Sequence, residues 1–287
     1  MQINLNDYAD WVGKILKAED TLSISPLNRM SATLESQFRE FNTGDEIPHL
    51  WHWLYFLEST PRPMLAPDGH AKKGGFLPPI TLPRRMWAGS RFSFKKNLKA
   101  GERVFRTSCI KDIAVKQGKS GTLVFVKVLH EINNNTGLAL SEEHDIVYRE
   151  KPTSTAIPPT TKQSEVKPDF SETFTPDPVI LFRYSALTFN GHRIHYDREY
   201  VTNTEGYPGL LVHGPLLATL LIDNFQRNQP DLKITDFEFK ALHPVFDLNP
   251  LKICSTNPDS DNKAVLWIED HQQNLCMRAS VSIEREK

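Results

Sequence analysis

Between Lys151 and Pro178 the chain abandons periodic apolar residues for proline, serine, threonine and charge (KPTSTAIPPTTKQSEVKPDFSETFTPDP), and its six prolines oppose both helix and sheet ladder. Such a stretch reads as a semi-rigid linker. It divides the 287 residues into a first half, 1–150, and a second, 179–287. A disordered tail joining two independent domains is the alternative reading of the same stretch.

The two halves are alike in outline. Phe92-Ser93-Phe94-Lys95 corresponds to Phe237-Glu238-Phe239-Lys240, and Thr122-Leu123-Val124-Phe125-Val126-Lys127-Val128 to Ala264-Val265-Leu266-Trp267-Ile268. A polar turn follows each of the latter runs, Asn133-Asn134-Asn135 or His271-Gln272-Gln273-Asn274, which is a hairpin signal. Leu50 to Leu57 is apolar almost all round and is predicted to be a helix buried on most sides. Its counterpart is the stripe Leu216, Leu217, Leu220, Leu221 and Phe225, introduced by Gly214-Pro215. A buried helix followed by antiparallel strands in each half predicts an α+β architecture. Tyr8 to Ala18 is moderately amphipathic and is expected as a helix packed on the outside.

Composition removes several functions. A formal charge of -1 gives no global attraction to phosphate backbones or anionic lipid, so nucleic acid is not expected as a partner. Met1 to Asp7 lacks a basic flank and an apolar core, and no apolar run approaches the roughly 20 residues that span a bilayer, so a cytoplasmic, non-membrane location is expected. Cys109, Cys254 and Cys276 are spaced too widely to suggest a disulfide framework or a zinc knuckle, and are expected as small buried residues.

Reactive side chains are densest in Phe182 to Asp197, FRYSALTFNGHRIHYD, which reads as a strand passing through the turn Asn190-Gly191 into His192, His195 and Asp197. A plain polar surface loop is one reading. A metal site is another, but the segment lacks a helical His-Glu-x-x-His frame and no other cluster shows ligand spacing. The third joins this loop to Gly206–Pro215 downstream. Adding water across a double bond conjugated to a thioester needs a base for the water, an acid for the α-carbon and donors for the enolate oxygen. A histidine can serve as base and acid. Gly214, at the start of a helix, can present its N–H with no Cβ in the way; a mere helix cap is the alternative.

With these stretches in place, the chain resembles the MaoC-like and hydratase-2 group of enoyl-thioester hydratases and dehydratases, and within it the double-hot-dog branch that includes mesaconyl-C4-CoA and itaconyl-CoA hydratases. The resemblance rests on Phe182–Asp197, on Gly209–Leu217, and on Leu82–Gly89 leading into Phe92-Ser93-Phe94, and it covers roughly Pro48 to the C-terminus. It implies two hot dogs, each a curved antiparallel sheet around a central helix, with the acyl chain in a tunnel between them. The first half would be non-catalytic, shaping that tunnel and holding the CoA arm.

In the wider family an Asp and a His five residues apart form the catalytic pair. Here His195 matches the His and Asn190 stands at the Asp position, where an amide cannot be a base. The resemblance therefore implies His195 as acid and base, Asn190 as an orienter and Gly214 as oxyanion donor, with His192, Asp197 and His213 as supporting groups. Arg193, Arg84 and Arg85, and behind them Arg91 and Arg183, are candidates to capture the anions of an acyl-CoA. The implied reaction is reversible hydration of a short branched dicarboxylic enoyl-CoA such as itaconyl-CoA or mesaconyl-CoA. No metal and no cofactor beyond the CoA substrate are implied, and a homodimer is the assembly the resemblance allows. A 3-hydroxyacyl-carrier-protein dehydratase, a hot-dog thioesterase and a non-catalytic acyl-CoA-binding protein are the competing readings.

Overall fold

A computed structural model describes residues 4–34, 38–118, 121–150 and 163–284. Ten strands form one antiparallel sheet in which the strand order of the second half mirrors that of the first. In the first half the strands are β1 (Ile15–Thr21), β2 (Arg84–Phe94), β3 (Arg103–Gly118), β4 (Gly121–Asn134) and β5 (Gly137–Arg149). In the second they are β6 (Phe170–Phe174), β7 (Lys233–Ala241), β8 (Leu251–Ser255), β9 (Lys263–Glu269) and β10 (Leu275–Glu284). The sheet runs β1-β3-β4-β5-β2-β7-β10-β9-β8-β6, so each strand of one half has a counterpart at the same distance from the β2–β7 seam. At that seam Phe92 lies opposite Phe237 and Ser90 opposite Phe239, the two motifs matched in the sequence. The fold is a double hot dog of α+β class.

Both polar turns form hairpins. Asn134 Oδ1 accepts the Thr136 N–H before Gly137, whose φ of 110° suits glycine. Asp270 Oδ1 accepts the N–H groups of Gln272 and Asn274.

The helices are α1 (Ile24–Leu34), α2 (Pro178–Leu187), α3 (Arg198–Asn203) and α4 (Gly214–Asn228). α4 is the predicted Leu-rich helix. Leu216, Leu217, Leu220, Leu221 and Phe225 are all buried, each worth about 1.5–3 kcal/mol of transfer free energy, and α4 packs on β8, β9 and β10.

The first half departs from expectation at the corresponding place. Leu50 to Leu57 is buried as predicted, but it is no long helix: only Trp51–Leu54 form a single 3-10 turn. Leu50 and Phe56 take left-handed φ values of 68° and 57°, which end the helix on both sides. Asp20 accepts the Phe56 N–H and holds that reversal. In the first half a charged group is buried beside this turn: Glu142 of β5, 2% exposed, accepts hydrogen bonds from His52 and Trp53. Tyr8 to Ala18 is also not one helix; a 3-10 segment, Leu5–Trp11, leads into β1 on the sheet edge.

Residues 151–162 of the Pro/Ser/Thr stretch lie outside the described residues. Its later part contains strand β6, which pairs with β8, so sheet structure begins ahead of Pro178. Phe182–Leu187, read above as a strand, belongs to helix α2. Asp177 accepts the N–H groups of Val179 and Ile180, and Pro178 occupies the first turn, where its missing N–H costs nothing.

Candidate active site

α2 ends at Leu187 and the chain turns back through Phe189, at a φ of 49°. The Asn190 N–H donates to the Ser185 carbonyl, which fastens the start of the candidate loop to the helix. Asn190 Oδ1 then accepts the His192 N–H at 3.0 Å. The amide oxygen therefore shapes the loop.

His195 is 7% exposed and closes a 3-10 turn, Arg193–His195. Its Nδ1 lies 2.7 Å from the Leu211 carbonyl oxygen. A carbonyl only accepts, so Nδ1 carries the hydrogen and Nε2 is left with its lone pair. Burial pushes His195 down to about 4, so the ring is neutral near pH 7 and available as a base. Leu211, rather than Asn190 or Asp197, thus fixes the tautomer. Asp197 is engaged elsewhere: it caps α3 through the Tyr200 N–H and pairs with Arg193 at 2.8 Å.

Beneath His195 lies His213, stacked at 3.7 Å between ring centroids with planes 17° apart. His213 precedes α4 and hydrogen-bonds Ser185 through Nε2, while burial holds it well below the ordinary histidine range. The stack brings the start of α4, and with it Gly214, beside the base. A Cβ built on Gly214 would meet nothing within 4 Å. Open space beside Gly214, at the positive end of a helix, would suit a thioester oxygen.

The loop is not walled by the second half alone. A turn of the first half, Pro67-Asp68-Gly69-His70, lies against it. The Arg193 N–H donates to the Asp68 carbonyl at 2.9 Å, and Arg193 Nη1 donates to the Pro67 carbonyl at 3.2 Å. Gly69 has a φ of 91°, and its missing side chain leaves room for the Gly191 carbonyl. His70 packs against His192 at 4.0 Å, and His192 stands 5.5 Å from His195. Asp68 accepts from His70 twice, at Oδ1 from the backbone N–H and at Oδ2 from Nδ1. Burial disfavours the Asp68 carboxylate, but these bonds outweigh it and hold the group well below its usual range.

Asp68, His70 and His192 offer ligand atoms within 4.8 Å of one another, a spacing a metal ion could use. The sequence shows no ligand spacing outside the segment around His192, His195 and Asp197, because the fold assembles this cluster from two distant stretches. In the folded chain Nδ1 of His70 is a donor to Asp68. This cluster was missed in the sequence, although Pro67-Asp68-Gly69 is a turn signal.

The arginines divide. Arg84 pairs with Glu205 at 3.1 Å, donates to the Tyr207 hydroxyl and lies over its ring. Arg193 is taken by Asp197 and covers the Tyr200 ring at 4.0 Å. Both tie parts of the chain together through these partners. Arg91 is held by Glu143 and Asp145, and Arg183 donates to the Ala32 carbonyl. Arg85 is different. Among the described residues it has no carboxylate partner, and its charge acts on both His70 and His192.

The chain matches the family described as hydroxyacyl-thioester dehydratase type 2 over residues 50–247. It is 42% identical to mesaconyl-C(4)-CoA hydratase of Chloroflexus aurantiacus over 255 residues, which covers 89% of this chain and 90% of that one. It is 29% identical to a mitochondrial hydroxyacyl-thioester dehydratase type 2 of Schizosaccharomyces pombe, across 90% of this chain and 93% of the relative. Among solved structures, a MaoC-like dehydratase of Phytophthora capsici superposes with a TM-score of 0.66 at 12% identity, covering 99% of this chain and 100% of that one. A Mycobacterium tuberculosis protein described as having a double hot-dog fold superposes with a TM-score of 0.59 at 13% identity, covering 95% of this chain and 96% of the other. These two likenesses concern the fold. Match and identity together show that this chain belongs to the hydroxyacyl-thioester dehydratase type 2 family.

Proposed function

We propose that this chain reversibly hydrates the double bond of an enoyl-CoA whose acyl group carries a second carboxylate, as mesaconyl-CoA and itaconyl-CoA do. The observation that carries the reading is His195, neutral by burial, with Nδ1 committed to Leu211 and Nε2 free, stacked beside the start of α4. Water gives a proton to His195 Nε2 as its oxygen bonds to the β-carbon. The electron pair of the double bond moves through the α-carbon to the thioester oxygen, where the Gly214 N–H receives the charge. The proton then passes from Nε2 to the α-carbon and the thioester carbonyl is restored. Dehydration is the same path reversed. No cofactor is required in this scheme.

Arg85 supports the choice of acyl group. A cation with no carboxylate partner beside the histidine cluster suits capture of a free carboxylate, through paired N–H donors. The name of the Chloroflexus relative points the same way. A soluble CoA substrate accords with a cytoplasmic location, and no helix among the described residues is long and apolar enough to cross a membrane.

The test is turnover of mesaconyl-CoA, itaconyl-CoA and crotonyl-CoA, followed by mass spectrometry with free thiol measured in parallel. A gain of one water without thiol release is the expected result, with the dicarboxylic substrates preferred. Thiol release would replace the reading with a thioesterase. Preference for a carrier-protein thioester would replace it with a fatty-acid dehydratase, and absence of turnover with a binding protein.

A further inference from the structure

Asn190 stands where the resemblance implies the Asp of a catalytic pair, and an amide cannot be a base. The structure brings another candidate from the first half. We infer that His70, oriented by Asp68, is the second acceptor at the attacking water and makes the first half a contributor to the chemistry. The inference rests on the hydratase reading above and adds a residue to it.

Three observations carry it. First, His70 and His195 present the same unused atom. Asp68 Oδ2 engages Nδ1 of His70 at 3.0 Å and the Leu211 carbonyl engages Nδ1 of His195 at 2.7 Å, so both rings keep Nε2 free. Neither Nε2 is among the sealed polar atoms without partners, whereas His213 Nδ1 is. Second, the two rings flank His192, at 4.0 and 5.5 Å, within one cluster formed by both halves. Third, the placement of His70 is enforced. Asp68 binds both its backbone and its ring, and the Arg193 N–H and side chain hold the turn from the other half. A carboxylate behind an imidazole fixes its tautomer and favours positive charge on the ring.

A water molecule has two hydrogens, and two Nε2 lone pairs accept both. One O–H bond breaks toward His195, the oxygen bonds to the β-carbon, and the electron pair moves to the thioester oxygen. His195 then returns that proton to the α-carbon. The hydrogen that stays on oxygen is the one held by His70, whose ring with Asp68 takes up charge as the O–H becomes more acidic. Atoms and charge balance over the cycle without a further reactant. The groups facing His70 are Asp68, Arg85, His192 and, beyond His192, His195.

The test compares wild type, His70→Ala, His70→Gln and Asp68→Asn on whichever enoyl-CoA the wild type hydrates. His70→Ala is expected to lower kcat by about 10²-fold to 10³-fold with KM changed little, the range for losing one hydrogen-bond partner at the reacting atoms. Asp68→Asn, nearly the same size, is expected to lower kcat less and to move the acid limb of the kcat/KM profile to lower pH, because a charge that favours protonated His70 is gone. A residue that merely packs the turn would leave that limb where it is. Circular dichroism and melting of His70→Gln confirm that the comparison is made on folded protein. The inference is overturned if both His70 variants keep kcat within about threefold, or if the acid limb does not move in Asp68→Asn. It is also overturned if chelation abolishes wild-type activity and a divalent cation restores it, since Asp68, His70 and His192 would then be ligands. A wild type that hydrates nothing defeats the underlying reading instead, so the two failures are distinct.

Discussion

Gly69 of the first half and Gly191 of the catalytic loop are packed so closely that a Cβ on Gly69 would lie 1.8 Å from the Gly191 carbonyl oxygen. A Cβ on Gly191 would in turn lie 2.9 Å from the Gly69 oxygen. Backbone meets backbone there, and nothing flexible can yield. Gly69→Ala must also hold a φ of 91°, which costs a residue with a side chain about 1–3 kcal/mol before any clash. The turn is therefore expected to lift off the loop. Activity should fall at least about tenfold, for loss of positioning near the reacting atoms, while circular dichroism shows the sheet intact.

His195→Ala should abolish turnover without unfolding the protein, as measured by enoyl-thioester absorbance and thermal melting. Retained turnover would remove His195 from the mechanism.

The buried histidines make stability depend on pH with a definite sign. His195 is depressed to about 4 from an ordinary value near 6.5, and His213 is also held low by burial. As pH falls through 6.5 the unfolded chain binds protons that the folded chain refuses, so stability drops between 6.5 and about 4. At pH 5.5 each such residue removes on the order of 1 kcal/mol. Melting temperature should therefore fall from pH 7 to pH 5, and His213→Gln should flatten the slope.

Gly214→Ala tests the oxyanion position. The added methyl meets nothing in the folded protein, so the melting temperature should hold or rise slightly. It would occupy space assigned to the thioester, so kcat/KM should fall by about 10-fold to 10²-fold. Full activity would place the thioester elsewhere.

Arg85→Met should separate the acyl group from the chemistry. With a dicarboxylic enoyl-CoA the expected change is a rise in KM of about 10-fold to 10²-fold, the value of a charge-assisted bond. With crotonyl-CoA KM should not move. Equal losses on both would assign Arg85 to the CoA arm or to the fold.

What the sequence disclosed depended on how local the governing contacts are. α4 was legible because Gly214-Pro215 and an apolar stripe at helical spacing agree with each other. His195 and Gly214 stood out as candidates because one lies in a histidine-rich loop and the other at a Gly-Pro helix start, and the resemblance supplied their expected roles. Leu50–Leu57 misled because a run that is apolar all round carries no period, and the left-handed turns at Leu50 and Phe56 are set by tertiary contacts such as Asp20 on the Phe56 N–H. Phe182–Leu187 misled although its helix signal, Asp177-Pro178, was present at the end of the supposed linker. Asp68 and His70 stayed hidden for a different reason. They sit more than a hundred residues from His192, and contacts between the two halves, the pairing of β2 with β7 among them, bring them together.

That seam also sets how the chain can change over generations. In an assembly of two identical subunits every inherited substitution is written twice, and a residue improved for one site is imposed on the other. Joining the halves through β2 and β7 in a single polypeptide separates their fates. The first half has a short 3-10 turn and a buried carboxylate in that region and sends a turn toward its neighbour, while the second half carries the long helix with Gly214 at its start.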